Sequence, residues 1–223
     1  MHNITFDFSD LHRHGSAFYD FLKLRKKVFV DQLGWDVPHD AQVEMDQYDT
    51  PVAHYSLVVD EDGEVVGGAR AMATTAMWGV HSYMLRDAHL GKLKYIPPEI
   101  LPHDIATPEV WECTRLVIAD KLTTHEARAA CLRMIVDGLV ERARAQGATE
   151  MICLSSIALM RALRQIGYDV TRAGPTYRND EDGRVYAALR MPAEFAHRET
   201  MPLVAAQAHA TMAEGFGSTR HAA

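Results

Sequence analysis

The chain has no apolar run approaching the roughly 18–20 residues of a membrane-spanning helix. Its opening, MHNITFDFSDLHRHG, lacks the basic-then-apolar order of a secretory signal. Basic residues are in deficit: 23 Lys and Arg against 30 Asp and Glu leave a formal charge of −7, which argues against nucleic acid as the main partner. Cysteine is scarce. Cys113, Cys131 and Cys153 lie far apart in apolar sequence with no C-x-x-C spacing, so buried free thiols in a reducing, cytoplasmic compartment are expected rather than disulfides. Metal-ligand spacing is absent too. The 12 histidines are scattered, His12-x-His14 has no acidic or thiol partner nearby, and Asp46-x-x-Asp49 lacks the glycine of a calcium loop.

What is present is an ordinary globular composition, 48% hydrophobic and 24% charged over 223 residues, which fits one domain with a proper core. A helix starts near Phe18, and its apolar stripe steps through Phe21, Leu22 and Val28/Phe29. A hairpin follows: Ala53 to Val59, a turn at Asp60–Gly63, and Glu64 to about Met72, with Gly67-Gly68 marking a bend or a close backbone approach. Residues from Thr74 to Pro108 read as irregular. A strand is expected over Val110–Ile118, then a helix opened by the capping box Thr123-x-x-Glu126 and stopped at Gly147. A short strand over Glu150–Leu154, a helix capped by Ser155 or Ser156, and a hairpin of Tyr168–Ala173 with Arg184–Met191 complete the order. These elements suit a single mixed-sheet α/β/α sandwich over residues 1–195, with 196–223 as a peripheral helix or loose tail.

Charges occur where apolar residues belong. Arg25 falls on the buried stripe of the first helix, so it either snorkels from the helix edge or pairs with an anion. The segment from Asp31 to Asp49 offers six acidic residues and no Lys or Arg. Arg70, Glu112 and Arg115 sit in otherwise apolar strands. In a regular strand, side chains at i and i+3 point to opposite faces, so either a bulge unites Glu112 with Arg115 or each serves a different partner. That many charges in core-forming elements point to a functional site.

The pattern R-x3-F-x5-W-x8-E-x-D-x2-D, then a strand arginine and W-E-x-x-R, resembles the N-acyl-homoserine-lactone synthases, the autoinducer synthases of bacterial quorum sensing. It comprises Arg25, Phe29, Trp35, Glu44, Asp46, Asp49, Arg70, Glu112 and Arg115, and the resemblance continues to Met191. It implies a fold like the GNAT acyltransferases. It also implies a reaction in which an acyl thioester, on acyl carrier protein or coenzyme A, acylates the α-amine of S-adenosylmethionine. The methionine carboxylate then closes the lactone and releases 5′-methylthioadenosine. S-adenosylmethionine is here a substrate, and no cofactor, metal, membrane or nucleic acid is implied.

On this resemblance Glu112, Asp46 and Arg115 are the catalytic candidates, with Glu112 as general base for an amine whose reference pKa is about 7.7–8.0. Arg25, Phe29, Trp35, Glu44, Asp49, Arg70, Cys153 and Ser155 are the binding candidates. Asp46 and Asp49 can hold the amine or sulfonium, Trp35 and Phe29 can stack on adenine or sulfonium, and an arginine can take the carboxylate. Two places depart from the family pattern: Leu116 stands where many members have an aromatic, and the strand-to-helix region around Cys153, Ser155 and Ser156 lies where many have the threonine linked to 3-oxo acyl chains. The competing reading is a generic GNAT N-acyltransferase using acyl-CoA. It is weakened because Lys121–Ala127 holds no glycine to cradle a pyrophosphate. A non-catalytic binder would be expected to lose the ionisable set, which is intact.

Overall fold

The computed structural model describes residues 1–196. Its strands are β1 (His2–Asp7), β2 (His54–Val59), β3 (Val65–Ala73), β4 (Val110–Ile118), β5 (Glu150–Ser156), β6 (Thr171–Arg178) and β7 (Val185–Pro192). Its helices are α1 (Ala17–Arg25), α2 (Met84–His89), α3 (His125–Ala145) and α4 (Ile157–Gln165). The strands form one mixed sheet in the order β1-β2-β3-β4-β5-β7-β6, with β4 and β5 the parallel pair. No helix among the described residues is long and apolar enough to cross a membrane. The tail expected from residue 196 onward falls, but for its first residue, outside the described residues.

Helices cover both faces, and Gly67-Gly68 shows how closely. Adjacent strand residues point to opposite faces. A Cβ on Gly67 would meet Cys131 of α3 at 2.7 Å, and one on Gly68 would meet Phe21 of α1 at 2.9 Å. The pair is therefore a close approach on both sides of the sheet, which only glycine permits. α1 buries Phe21, Leu22, Leu24 and Arg25 and runs on as wider π-helical turns over Lys26–Gln32, where Phe29 is buried. Thr124 caps α3, its hydroxyl accepting from the Ala127 amide, so the cap lies one residue beyond the expected Thr123. Gly147, at φ +86°, ends that helix in the left-handed conformation L side chains avoid. Ser156 caps α4.

Three elements differ from the sequence reading. β1 is an additional edge strand, paired with β2 some fifty positions away, so nothing local in sequence demands it. The stretch from Thr74 to Pro108 contains α2. β6 runs from Thr171 through Gly174-Pro175 to Arg178, later than expected. It tolerates the proline because it is an edge strand with a register shift between Arg172 and Thr176.

Two irregularities open the sheet at its centre. Between Gly68 and Arg70 of β3, the partner residues on β4 step from Val117 to Thr114, so β4 carries one extra residue there. Arg115 lies in that bulge at φ +58°, the one non-glycine residue with positive φ among those described. Beyond the bulge β4 and β5 part. Their pairing covers Val110–Cys113 with Glu150–Cys153, after which β4 stays with β3 and β5 with β7.

Candidate active site

The bulge decides where the charged side chains go. Gly68, Arg70 and Met72 face α1, and Thr114 and Glu112, paired with Arg70 and Met72, face the same way. The extra residue turns Arg115 to that face as well, which resolves the i, i+3 spacing. There Arg25 donates from Nε to Glu44 Oε2 (2.5 Å) and from both terminal nitrogens to Asp49 (2.8 and 2.9 Å). Arg70 holds Asp46 with two hydrogen bonds (2.5 and 3.1 Å), reaches Asp49 at 2.8 Å and donates to Thr114 Oγ1 at 3.1 Å. Arg115 links Glu44 (3.1 Å) to Asp46 (2.7 Å). The Tyr55 hydroxyl and the Asp46 amide also donate to Asp49.

Three guanidinium groups thus face three carboxylates, all largely or wholly buried. Burial alone would raise the Asp46 pKa, but Arg70 and Arg115 outweigh it and hold the carboxyl well below the usual range. Asp49 is lowered likewise, by Arg70 and Arg25 against burial. Arg25, placed on the apolar stripe by sequence, pairs with the acidic loop as one of its two readings required; its partners are Glu44 and Asp49, not Asp46.

Glu112 stands apart. It is 1% exposed, makes no salt bridge among the described residues, and accepts hydrogen bonds from the Met84 and Leu85 amides at the start of α2, at 2.8 and 2.7 Å. Burial pushes its pKa up to about 7, opposed by those two amides and by Arg70 and reinforced by Asp46. A carboxyl near neutrality beside fixed charges is what proton transfer at physiological pH needs. No sequence signal identified the α2 amides, because any residue supplies a backbone N–H.

The fork between β4 and β5 is a cavity of about 770 Å³. On one side it is walled by Phe29, Trp35 and Asp46, on the other by Val136 and Leu139 of α3 and by α4. Of the expected site residues, Phe29, Trp35, Asp46, Arg115, Cys153 and Ser155 line it. Arg25, Glu44, Asp49, Arg70 and Glu112, expected at the site as well, do not line the cavity and form the buried layer behind it. Trp35 stacks on Phe29 at 4.9 Å and 10°, and its indole N–H donates to Asp182. The Arg115 guanidinium lies 5.4 Å from the other aromatic of that pair, Phe29. Cys113 and Cys153 are register partners across the fork. Burial raises both thiols, Cys153 to about 12, so they are neutral lining groups and not nucleophiles.

The sequence model of the autoinducer synthase family matches residues 9–201. An acyl-homoserine-lactone synthase of Acinetobacter nosocomialis is 33% identical over 160 residues, 70% of this chain and 81% of its own length. One from Ralstonia solanacearum is 33% identical over 156 residues, 68% of this chain and 71% of its own. Among solved structures, TofI in a ternary complex with an inhibitor and MTA superposes with a TM-score of 0.69 at 28% identity, covering 87% of this chain and 92% of that one. An acyl-CoA N-acyltransferase from Pseudomonas aeruginosa, at 13% identity and a TM-score of 0.51 over 84% of this chain and 97% of its own, shares the fold. With the arginine–carboxylate cluster and the forked sheet in place, these matches put the chain in the autoinducer synthase family, as an acyl-homoserine-lactone synthase on a GNAT-like fold.

Proposed function

We propose that this enzyme joins an acyl group from a thioester to the α-amine of S-adenosylmethionine, closes the homoserine lactone and releases 5′-methylthioadenosine, with Glu112 as general base. The observation that carries the reading is Glu112: a buried carboxyl raised to about 7, held by two neutral amides and by no cation. Glu112 lies behind the cavity wall, so the ammonium of the substrate gives it a proton through a bridging water. The freed amine attacks the thioester carbonyl, the C–S bond breaks, and the departing thiolate takes the second proton that the nitrogen sheds. Asp46 and Arg115 act by charge. Asp46 faces the cleft as a fixed anion toward the ammonium and sulfonium, and Arg115 is the one arginine of the cluster that lines the cavity and can meet the substrate carboxylate. Trp35 offers an aromatic face to adenine. Lactone closure is intramolecular, so it depends on holding the methionine chain curled. Arg25, Arg70, Glu44 and Asp49 serve as the rigid wall against which this is done.

The donor proposed is an acyl carrier protein in the cytoplasm, with S-adenosylmethionine a substrate and no cofactor added. The loop before α3 has no glycine, and Thr124 already occupies the Ala127 amide, which leaves a poorer cradle for the pyrophosphate of coenzyme A. The part of the fork walled by α3 and α4 carries Val136, Leu139, Leu159 and Leu163, an apolar lining such as an acyl chain requires. Incubating the protein with S-adenosylmethionine and an acyl thioester, then measuring methylthioadenosine and lactone by mass spectrometry, tests the reading. A plain N-acyltransferase would transfer acyl groups without releasing methylthioadenosine, and a binder would do neither.

A further inference from the structure

We propose that Asp87 is a positioning residue for Glu112: its carboxylate clasps the chain on both sides of α2 and thereby fixes the Met84 and Leu85 amides on the base. Asp87 is fully buried, lies outside the arginine cluster and does not line the cleft. Its oxygens take the Ser82 hydroxyl (3.0 Å), the Lys92 ammonium (3.0 Å) and the Tyr48 hydroxyl (3.2 Å), with His81 Nδ1 at 3.1 Å and the Ser82 amide at 3.4 Å. Ser82 precedes α2 and Lys92 follows it. The Lys92 ammonium also donates to the Val80 carbonyl, and its amide to the Asp87 carbonyl. A six-residue helix has too few internal bonds to hold its own orientation, so the clasp supplies it.

The third arm of the clasp reaches the charge cluster. The Tyr48 ring lies 5.6 Å from the Arg70 guanidinium, which holds Asp46. Asp87 therefore ties three segments around Glu112: the loop carrying Tyr48, the turn before α2 and the turn after it. Burial works to raise the Asp87 pKa, and Lys92, His81 and Ser82 outweigh it, so the clasp is anionic. Arg86, on the same helix, is the other charged group it influences. Glu112 for its part is faced by Arg70, Asp46, Cys113, Cys153, Tyr48 and Tyr83. Among these only Arg70 and the α2 amides favour its charged form, so loosening α2 removes two of the three supports.

This inference rests on Glu112 as general base. The test uses full-length Asp87→Ala and Asp87→Asn enzymes, each also combined with Glu112→Gln, and measures kcat and KM for S-adenosylmethionine, the pH profile of kcat/KM, and the thermal midpoint. With Asp87→Ala, kcat should fall about tenfold or more, and the acid limb set by Glu112 should move to higher pH. Loss of the Asp87 charge alone would move that limb lower, so an upward shift reports lost amide contacts. Asp87→Asn keeps an acceptor for Ser82 and Tyr48, and should recover part of both effects. In the Glu112→Gln background, Asp87→Ala should cost less than about twofold more, because the two act as a unit. If Asp87→Ala does not fold, Asp87→Asn carries the test: it too loses the charge, so a limb moved higher with lowered kcat supports the proposal, and a limb unmoved or moved lower overturns it. A lowered thermal midpoint with unchanged kcat/KM and limb, or full multiplication with Glu112→Gln, overturns the proposal. Wild-type turnover in Glu112→Gln alone overturns the general-base reading and this inference together, whereas an inactive Glu112→Gln beside normal Asp87 variants sinks this inference only.

Discussion

Arg70 and Asp46 face each other end to end, one terminal nitrogen on each carboxylate oxygen at 2.5 and 3.1 Å, in the largely buried wall of the cleft. An ion pair of this kind is a weak source of net stability but a strong liability when halved, because the surviving charge stays buried. Asp46→Asn should therefore destabilise the fold by about 3 kcal/mol or more, measured by urea unfolding at neutral pH. The pH sign follows from depressed carboxylates. Asp46 and Asp49 ionise more readily when folded, so their contribution is full above the unfolded value near 3.9 and is lost as pH falls toward the lower folded values. Wild-type stability should drop below about pH 4, and Asp46→Asn should show a shallower drop; equal slopes would mean that Asp46 is not the group responsible.

Glu112 carries the opposite sign. Its folded value of about 7 lies above the ordinary 4.5, so the folded state prefers the proton. Its contribution to stability is full below about 4.5, declines as pH rises and is gone above about 7. Glu112→Gln mimics the protonated group. It should lower turnover roughly 10²–10⁴-fold while gaining stability relative to wild type between pH 4.5 and 7. The gain at pH 8 has an upper size of about 3 kcal/mol. Thermal melts at pH 4.5 and pH 8 would decide it: a stability difference that does not grow with pH contradicts the raised carboxyl.

Much of this site was legible in the residues. Arg25 on an apolar helical stripe, and three ionisable groups in buried strands, announced a paired cluster before any contact was known, since burial of unpaired charge is so costly. The pairing itself was not legible. Which carboxylate meets which arginine depends on the bulge at Arg115, and nothing in the letters Trp111-Glu112-Cys113-Thr114-Arg115 marks an extra residue. α2 escaped notice because its one turn and a half is too short for a periodic signal. With it went Asp87 and the amides that hold Glu112. β1 escaped for a different reason: an edge strand is specified by a partner distant in sequence.

Arg115 pays for its position with a left-handed backbone, φ +58°, which costs an L residue roughly 1–2 kcal/mol. Two substitutions separate backbone from side chain. Arg115→Ala and Arg115→Gly both remove the links to Glu44 and Asp46 and should both abolish most turnover. The glycine variant should nonetheless be the more stable of the two by about 1 kcal/mol, read from denaturant midpoints. An alanine variant as stable as the glycine variant would mean that the bulge relaxes when the guanidinium is gone, and that the ion pairs, not the sheet, impose it.

The donor surface can be tested separately from the chemistry. An acyl carrier protein is acidic, so its docking face should be basic even on a chain of charge −7. Arg161, Arg164, Arg172 and Arg178 are all exposed, on α4 and on the edge strand β6, and α4 also walls the fork. Arg164 is held by its Nε on the Val170 carbonyl, and Arg178 by the Gly183 carbonyl, so both have structural duties. The side chains of Arg161 and Arg172 make no hydrogen bond or salt bridge among the described residues, which makes them the cleaner pair to change. Reversing both to Glu should raise the KM for acyl carrier protein donors and reduce the salt dependence of kcat/KM, since fewer opposite charges remain to be screened. The KM for S-adenosylmethionine and the turnover at saturating donor should stay as they are, because neither residue lines the cleft. Unchanged carrier-protein kinetics at low and high salt would place docking on another face, and full activity with acyl-CoA alone would replace the proposed donor.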